Sequence, residues 1–180
     1  MLTFVALLRG INVSGRKKIR MADLQKSFEA LGFDKVRSYL QSGNVIFRSR
    51  RTDPKKLASD IKARIAEDFG YDVDILVLSA KEINRVAGSN PLFPRLGKDA
   101  TLFHATFLFQ PVSKADFEKL NLPAQPGEQA VLLGQVVLLF CPNGYGRTKL
   151  NNSFFEKKLG VPATTRNWRT VLALQDLCRE

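Results

Sequence analysis

Val36-Arg-Ser-Tyr-Leu-Gln-Ser-Gly-Asn-Val-Ile-Phe47 decides the fold. It reads as two short strands, 36–40 and 45–47, joined by Gln41-Ser-Gly-Asn44, because glycine and asparagine tolerate the positive φ of a tight reversal. On its N-terminal side, Met21, Leu24, Phe28 and Leu31 recur at helical spacing until Gly32, and residues 2–8 form an apolar strand. On its C-terminal side, Asp53 and Pro54 stand as N-cap and first helical residue. That helix places Leu57, Ile61, Ile65 and Phe69 on one face before Gly70, and residues 73–78 add a strand. Strand-helix-strand-strand-helix-strand is the split βαβ order of ferredoxin-like domains, with a mainly antiparallel sheet.

Further along, Ser79-Ala-Lys-Glu82 matches a capping box, so a short helix runs to about Ala87 before the breaker-rich segment 88–97. Residues 103–109 then read as a strand, Ser113 opens a helix carrying Phe117 and Leu120, and 130–133 pairs with 135–140 around Gly134. Ser153-Phe-Phe-Glu156 is a second capping-box match, for a helix ending at Gly160. A last helix over 167–177, with Thr164 or Thr165 as its cap, buries Trp168, Val171, Leu172 and Leu174. The expected architecture is α+β. Two ferredoxin-like subdomains, 1–79 and 101–180, are joined by a helix and linker over 80–100, and the second ends in the C-terminal helix.

The chain has 180 residues, 44% hydrophobic and 25% charged, an ordinary globular composition. No apolar run approaches the roughly 20 residues of a membrane span, and the N-terminus lacks a basic region ahead of an apolar stretch. A cytoplasmic protein without membrane association is expected. Cys141 and Cys178 suit reduced buried thiols rather than a disulfide framework. The single histidine, His104, excludes multi-histidine metal chemistry, and no metal or cofactor is expected. No Ser-His-Asp set or poised pair of acids stands out, so the sequence does not decide whether the protein is an enzyme.

A formal net charge of +11 favours polyanionic partners. The charge is blocked. Arg9, Arg16, Lys17, Lys18 and Arg20 fall within the first 22 residues, which contain no acid, and a second block occupies 147–169. A third, Arg48-Ser-Arg-Arg51 with Lys55 and Lys56, follows a strand. Any such block can also be a solvated face. Gly10-Ile-Asn-Val-Ser-Gly15 has the G-x-x-x-x-G spacing of a P-loop, yet Arg16 stands where lysine is expected and Lys17 where Ser or Thr would hold magnesium. NTP hydrolysis of that type is set aside. A looser cradle of amides and cations for phosphate survives, beside the plainer reading that both glycines permit a tight turn. Asn143-Gly-Tyr-Gly-Arg-Thr-Lys-Leu-Asn-Asn152 is a second basic glycine loop. Tyr145 is placed there to stack on a base while Arg147 and Lys149 hold phosphates, unless Asn143-Gly144 is an ordinary turn.

Arg9-Gly-Ile-Asn-Val13 with Gly15 and Met21, then Gln41-Ser-Gly-Asn-Val45, then Thr165-Arg-Asn-Trp168 with Thr170 and Val171, together resemble the bacterial family known as domain of unknown function 1697. The resemblance covers nearly the whole chain and implies an α+β fold of two related subdomains, with no established activity. Ser14 departs from the family pattern, in which a second glycine is common. Arg9, Asn12, Gln41, Asn44, Arg166 and Asn167 carry forked donors suited to phosphates or base edges. With Gly10, Gly15, Lys17, Tyr145 and Arg147 they form the candidate ligand-binding set. Asn44 as a turn brace and Trp168 as core residue are the competing readings. The expected function is noncatalytic binding of nucleic acid or a phosphate-bearing small molecule. Alternatives are an enzyme on a phosphorylated or nucleotide substrate and a module docking an acidic protein.

Overall fold

The computed structural model describes residues 1–179. In chain order the elements are β1 (Leu2–Leu8), α1 (Met21–Ala30), β2 (Asp34–Tyr39), β3 (Asn44–Ser49), α2 (Pro54–Phe69), β4 (Ile75–Ser79) and α3 (Ala80–Gly88). There follow β5 (Phe103–Leu108), α4 (Lys114–Glu118), β6 (Gln129–Leu133), β7 (Val136–Phe140), α5 (Asn152–Leu159), β8 (Ala163–Asn167) and α6 (Trp168–Arg179). Two compact units result. Residues 1–84 with the chain from Leu174 form one, and residues 85–173 form the other, so the division falls inside α3 and again inside α6.

In the first unit the antiparallel sheet runs β2-β3-β1-β4, the ferredoxin-like order expected of the split βαβ. The period of two along β1 sends Phe4, Ala6 and Leu8 into one core with Leu24 and Phe28 of α1 and Leu57, Ile61 and Ile65 of α2. Phe47 lies 4.4 Å from Phe33 and 5.5 Å from Phe28, centroid to centroid. Burying each such ring contributes about 2–3 kcal/mol. The opposite face is closed as well, with Val5, Leu7 and Ile46 at most 2% exposed. α2 has the ends its sequence dictates: Asp53 Oδ1 accepts from the amides of Lys55 (2.9 Å) and Lys56 (3.3 Å), and Gly70 takes the left-handed cap.

The second unit repeats the topology, with order β6-β7-β5-β8. Its central strands β5 and β7 are buried on both faces too: Phe103, Ala105 and Phe107 alternate with Leu108, Val137 and Leu139. Three local expectations change. Residues 163–167 form β8, a strand that hydropathy does not announce, and Thr164 and Thr165 lie inside it rather than capping α6. Asn167 fills that role by accepting from the Arg169 amide at 2.9 Å. The cap of α5 is Asn151, which accepts from the Phe154 amide, while Glu156 of the supposed capping box takes the Ala163 amide at 2.8 Å and ties α5 to β8. No helix among the described residues is long and apolar enough to cross a membrane.

Candidate functional site

The segment between β1 and α1 is a miniature hairpin. Arg16 N donates to Val13 O at 2.9 Å and Asn12 N to Lys17 O at 3.2 Å, with Ser14 (φ 50°) and Gly15 (φ 73°) at the tip. Positive φ at both central residues is the type I′ geometry of tight hairpins, which explains why a second glycine suits the position of Ser14. Gly10, Asn12 and Lys17 also lie at positive φ. The loop is locked from inside: Asn12 Oδ1 accepts from Ile19 N (2.9 Å), and Asn12 Nδ2 donates to Ile19 O (3.0 Å) and Gln41 O (2.9 Å). Amides expected to converge on an anion around Gly10–Gly15 are thus partly spent on the turn.

Spatial neighbours also supply the acids that the sequence of the loop lacks. β1 and β4 pair so that Arg9 N donates to Asp74 O, and Arg9 Nη1 lies 3.8 Å from Asp74 Oδ2. Lys17 Nζ donates to the Asp72 carbonyl. Lys62 bridges the carboxylates of Asp72 (2.9 Å) and Asp74 (2.7 Å). Hydrogen bonding to Lys62 holds the Asp72 carboxyl below the usual range, and the same pair raises Lys62. Arg20 is 3.3 Å from Asp23. Arg16 and Lys18 remain exposed, with no ion pair among the described residues.

Beside this loop opens a groove of about 510 Å³, lined by Asn12, Lys18, Ile19, Arg20, Met21, Ala22 and Gln41. It lies at the start of α1, where Arg20 occupies the N-cap without a side-chain hydrogen bond. The first-turn amides of Met21 and Ala22 have no intrahelical acceptor, and the helix dipole places partial positive charge there. Sequence reasoning placed Asn12 and Gln41 at a site but missed Lys18, Arg20, Met21 and Ala22. The available signal was the missing Ser, Thr, Asp or Asn cap before Met21. Asn44 is fully buried, its amide donating to Tyr39 O (2.8 Å) and Ser42 Oγ (3.1 Å), so it braces the hairpin below the groove.

The remaining candidates belong to the second unit. The second glycine loop joins β7 to α5, whereas the topological counterpart of the first loop is residues 109–113, which carry no basic residue. Tyr145 is occupied: its ring stacks on His104 at 4.4 Å and its hydroxyl accepts from Asn152 N at 3.0 Å. Burial raises its phenol. Arg147 is exposed. Arg166, in β8, is 6% exposed, and its Nη1 donates to Thr164 Oγ1 (2.7 Å) and Thr165 O (3.0 Å). Burial lowers its guanidinium to about 10, so it stays charged at neutral pH. Asn167 Nδ2 donates to Thr101 O at 3.1 Å and lies 3.3 Å from His104 Nε2. Trp168 is fully buried beside Phe93. Desolvation takes His104 down to about 4 and pushes the thiols of Cys141 and Cys178 up to about 11.

The family model described as protein of unknown function (DUF1697) matches residues 1–138. Among solved structures, the chain is similar to the conserved bacterial protein SP0830 from Streptococcus pneumoniae, at 23% identity and a TM-score of 0.76, with 98% of each chain covered. That likeness is one of fold. The search of curated proteins found no match.

Proposed function

We propose, for a chain that belongs to the bacterial DUF1697 family, that the groove at the start of α1 binds a phosphate-bearing ligand, nucleic acid or nucleotide, without turning it over. The observation carrying this reading is the coincidence, in one 510 Å³ groove, of an uncapped helix start with the cations Lys18 and Arg20 and the carboxamide of Gln41. Phosphate oxygens accept hydrogen bonds and carry negative charge, which suits amides at a helix start and an exposed ammonium. A net charge of +11 adds long-range attraction. Base stacking on the central strands is unsupported, because β1, β3, β5 and β7 are buried on both faces. The noncatalytic reading is favoured by the placement of His104 and the two thiols, whose shifted pKa values leave them poor bases or nucleophiles near neutral pH.

Fluorescence anisotropy with a labelled single-stranded oligonucleotide and a labelled nucleotide tests the reading. Binding is expected at low salt, with log K falling against log salt by about 0.7 for each phosphate neutralised on a single strand. Lys18→Glu should weaken it about tenfold, some 1.4 kcal/mol, with an unchanged circular dichroism spectrum. Absence of binding to either probe at low salt rules the proposal out.

A further inference from the structure

A second pocket opens at the other end of α1, with a volume of about 250 Å³ and Gly32, Phe33, Asp34, Ser49, Arg50 and Arg51 in its lining. Arg51 is fixed. Its guanidinium lies over the Phe33 ring at 5.2 Å and pairs with Asp60, while its amide donates to Ser49 Oγ at 3.0 Å. Arg50 is exposed, without an ion pair among the described residues, and Lys55 and Lys56 follow in the exposed first turn of α2. Asp34 in the lining and Asp60 against Arg51 offset part of this charge, which leaves Arg50 as the guanidinium open to an anion, followed in the chain by Lys55 and Lys56.

The two pockets bracket one seam. Arg20, Met21 and Ala22 mark its first end and Gly32 to Asp34 its second, and α1 is tied to β2 between them by Gln25 Nε2 donating to Ser38 Oγ at 2.9 Å. The 10 residues of α1 rise about 15 Å, so a single nucleotide in the first groove falls short of Arg50. A strand at the stacked rise of about 3.4 Å per nucleotide covers the distance in four to five steps, so with roughly five nucleotides. Duplex DNA, with a persistence length of about 50 nm, is stiff over this distance and keeps its bases paired inside, so it meets the two pockets with backbone phosphates alone.

We infer that the ligand is a single-stranded nucleic acid of about five nucleotides or more, lying along the α1–β2 seam with phosphates near Lys18 at one end and Arg50 at the other. This rests on the phosphate-binding reading of the first groove. It also separates the two ligand classes that reading leaves together, because only a polymer engages both pockets.

The test is anisotropy with a mononucleotide, oligothymidylates of increasing length and a duplex of the same length as the longest. Affinity should climb to about five nucleotides and then flatten, with the duplex weaker than the single strand. Arg50→Glu, at an exposed position, should weaken oligonucleotide binding about tenfold and leave the mononucleotide unaffected, whereas Lys18→Glu weakens both. The inference fails, and the first groove stands, if the mononucleotide binds as tightly as the oligonucleotides, if Arg50→Glu changes nothing, or if the duplex binds equally well. If no probe binds at low salt, the groove reading falls with it.

Discussion

Asn12 holds three backbone partners with one carboxamide, joining the two ends of the first loop to the Gln41 hairpin. Its left-handed φ of 55° explains the residue type, because asparagine tolerates that region better than other non-glycine residues. Asn12→Ala should therefore cost about 2–3 kcal/mol, the sum of lost hydrogen bonds and left-handed strain. Asn12→Gly, which relieves the strain but also loses the bonds, should cost less than alanine. Urea denaturation of both variants measures this, and an alanine variant as stable as the parent would show that the loop closes without its amide. Arg9 reads as a lone cation in the sequence, yet the antiparallel pairing of β1 with β4 brings Asp74 against it. Local charge counts do not see partners delivered across a sheet.

The β2–β3 hairpin packs its turn directly on the end of β1. Gly43 O accepts from Leu8 N, and a Cβ on Gly43 would sit 2.8 Å from both Leu8 Cβ and Ile11 Cδ1, at a backbone φ of 80°. No rotamer of Leu8 moves its Cβ, so Gly43→Ala should destabilise the fold by about 2–4 kcal/mol through overpacking and strain together. A thermal midpoint within a degree or two of the parent would contradict that packing. This hairpin was legible because its turn chemistry and its flanking apolar residues agree. β8 was not: Ala-Thr-Thr-Arg-Asn has no apolar alternation, and its stability comes from pairing with β5 and from side-chain bonds such as Thr106 Oγ1 to Thr165 Oγ1 at 2.8 Å. The candidate groove was half legible for a related reason. Asn12 and Gln41 announced themselves by type and motif, whereas Lys18, Met21 and Ala22 matter only because α1 begins beside the hairpin, a fact of tertiary structure.

At the scale of the whole molecule, the two units should respond to acid over different pH ranges. His104 is the only histidine, so no other side chain has an ordinary pKa near 6.5. Burial against Tyr145 lowers it to about 4 in the folded protein, whereas the unfolded chain titrates near 6.5. A folded pKa below the unfolded one means that the unfolded state gains the proton first, so stability is present above about pH 6.5 and is lost progressively as the pH falls towards 4. The loss amounts to about 3 kcal/mol in the second unit. In the first unit, Asp68 and Asp72 are held below their ordinary values, Asp68 by Arg64 and Ser27 and Asp72 by Lys62, and their stabilisation disappears only as the pH falls through the carboxylate range. Trp168, the single tryptophan, is buried in the second unit and supplies a local probe. Its fluorescence should report a denaturation midpoint that falls between pH 6.5 and about 4.5. His104→Phe, which keeps a ring against Tyr145 and removes the titrating group, should flatten that part of the profile whatever its effect at neutral pH. A parent midpoint constant over that interval would mean that His104 meets water or an acceptor in both states and that its burial does not govern the acid response of the second unit.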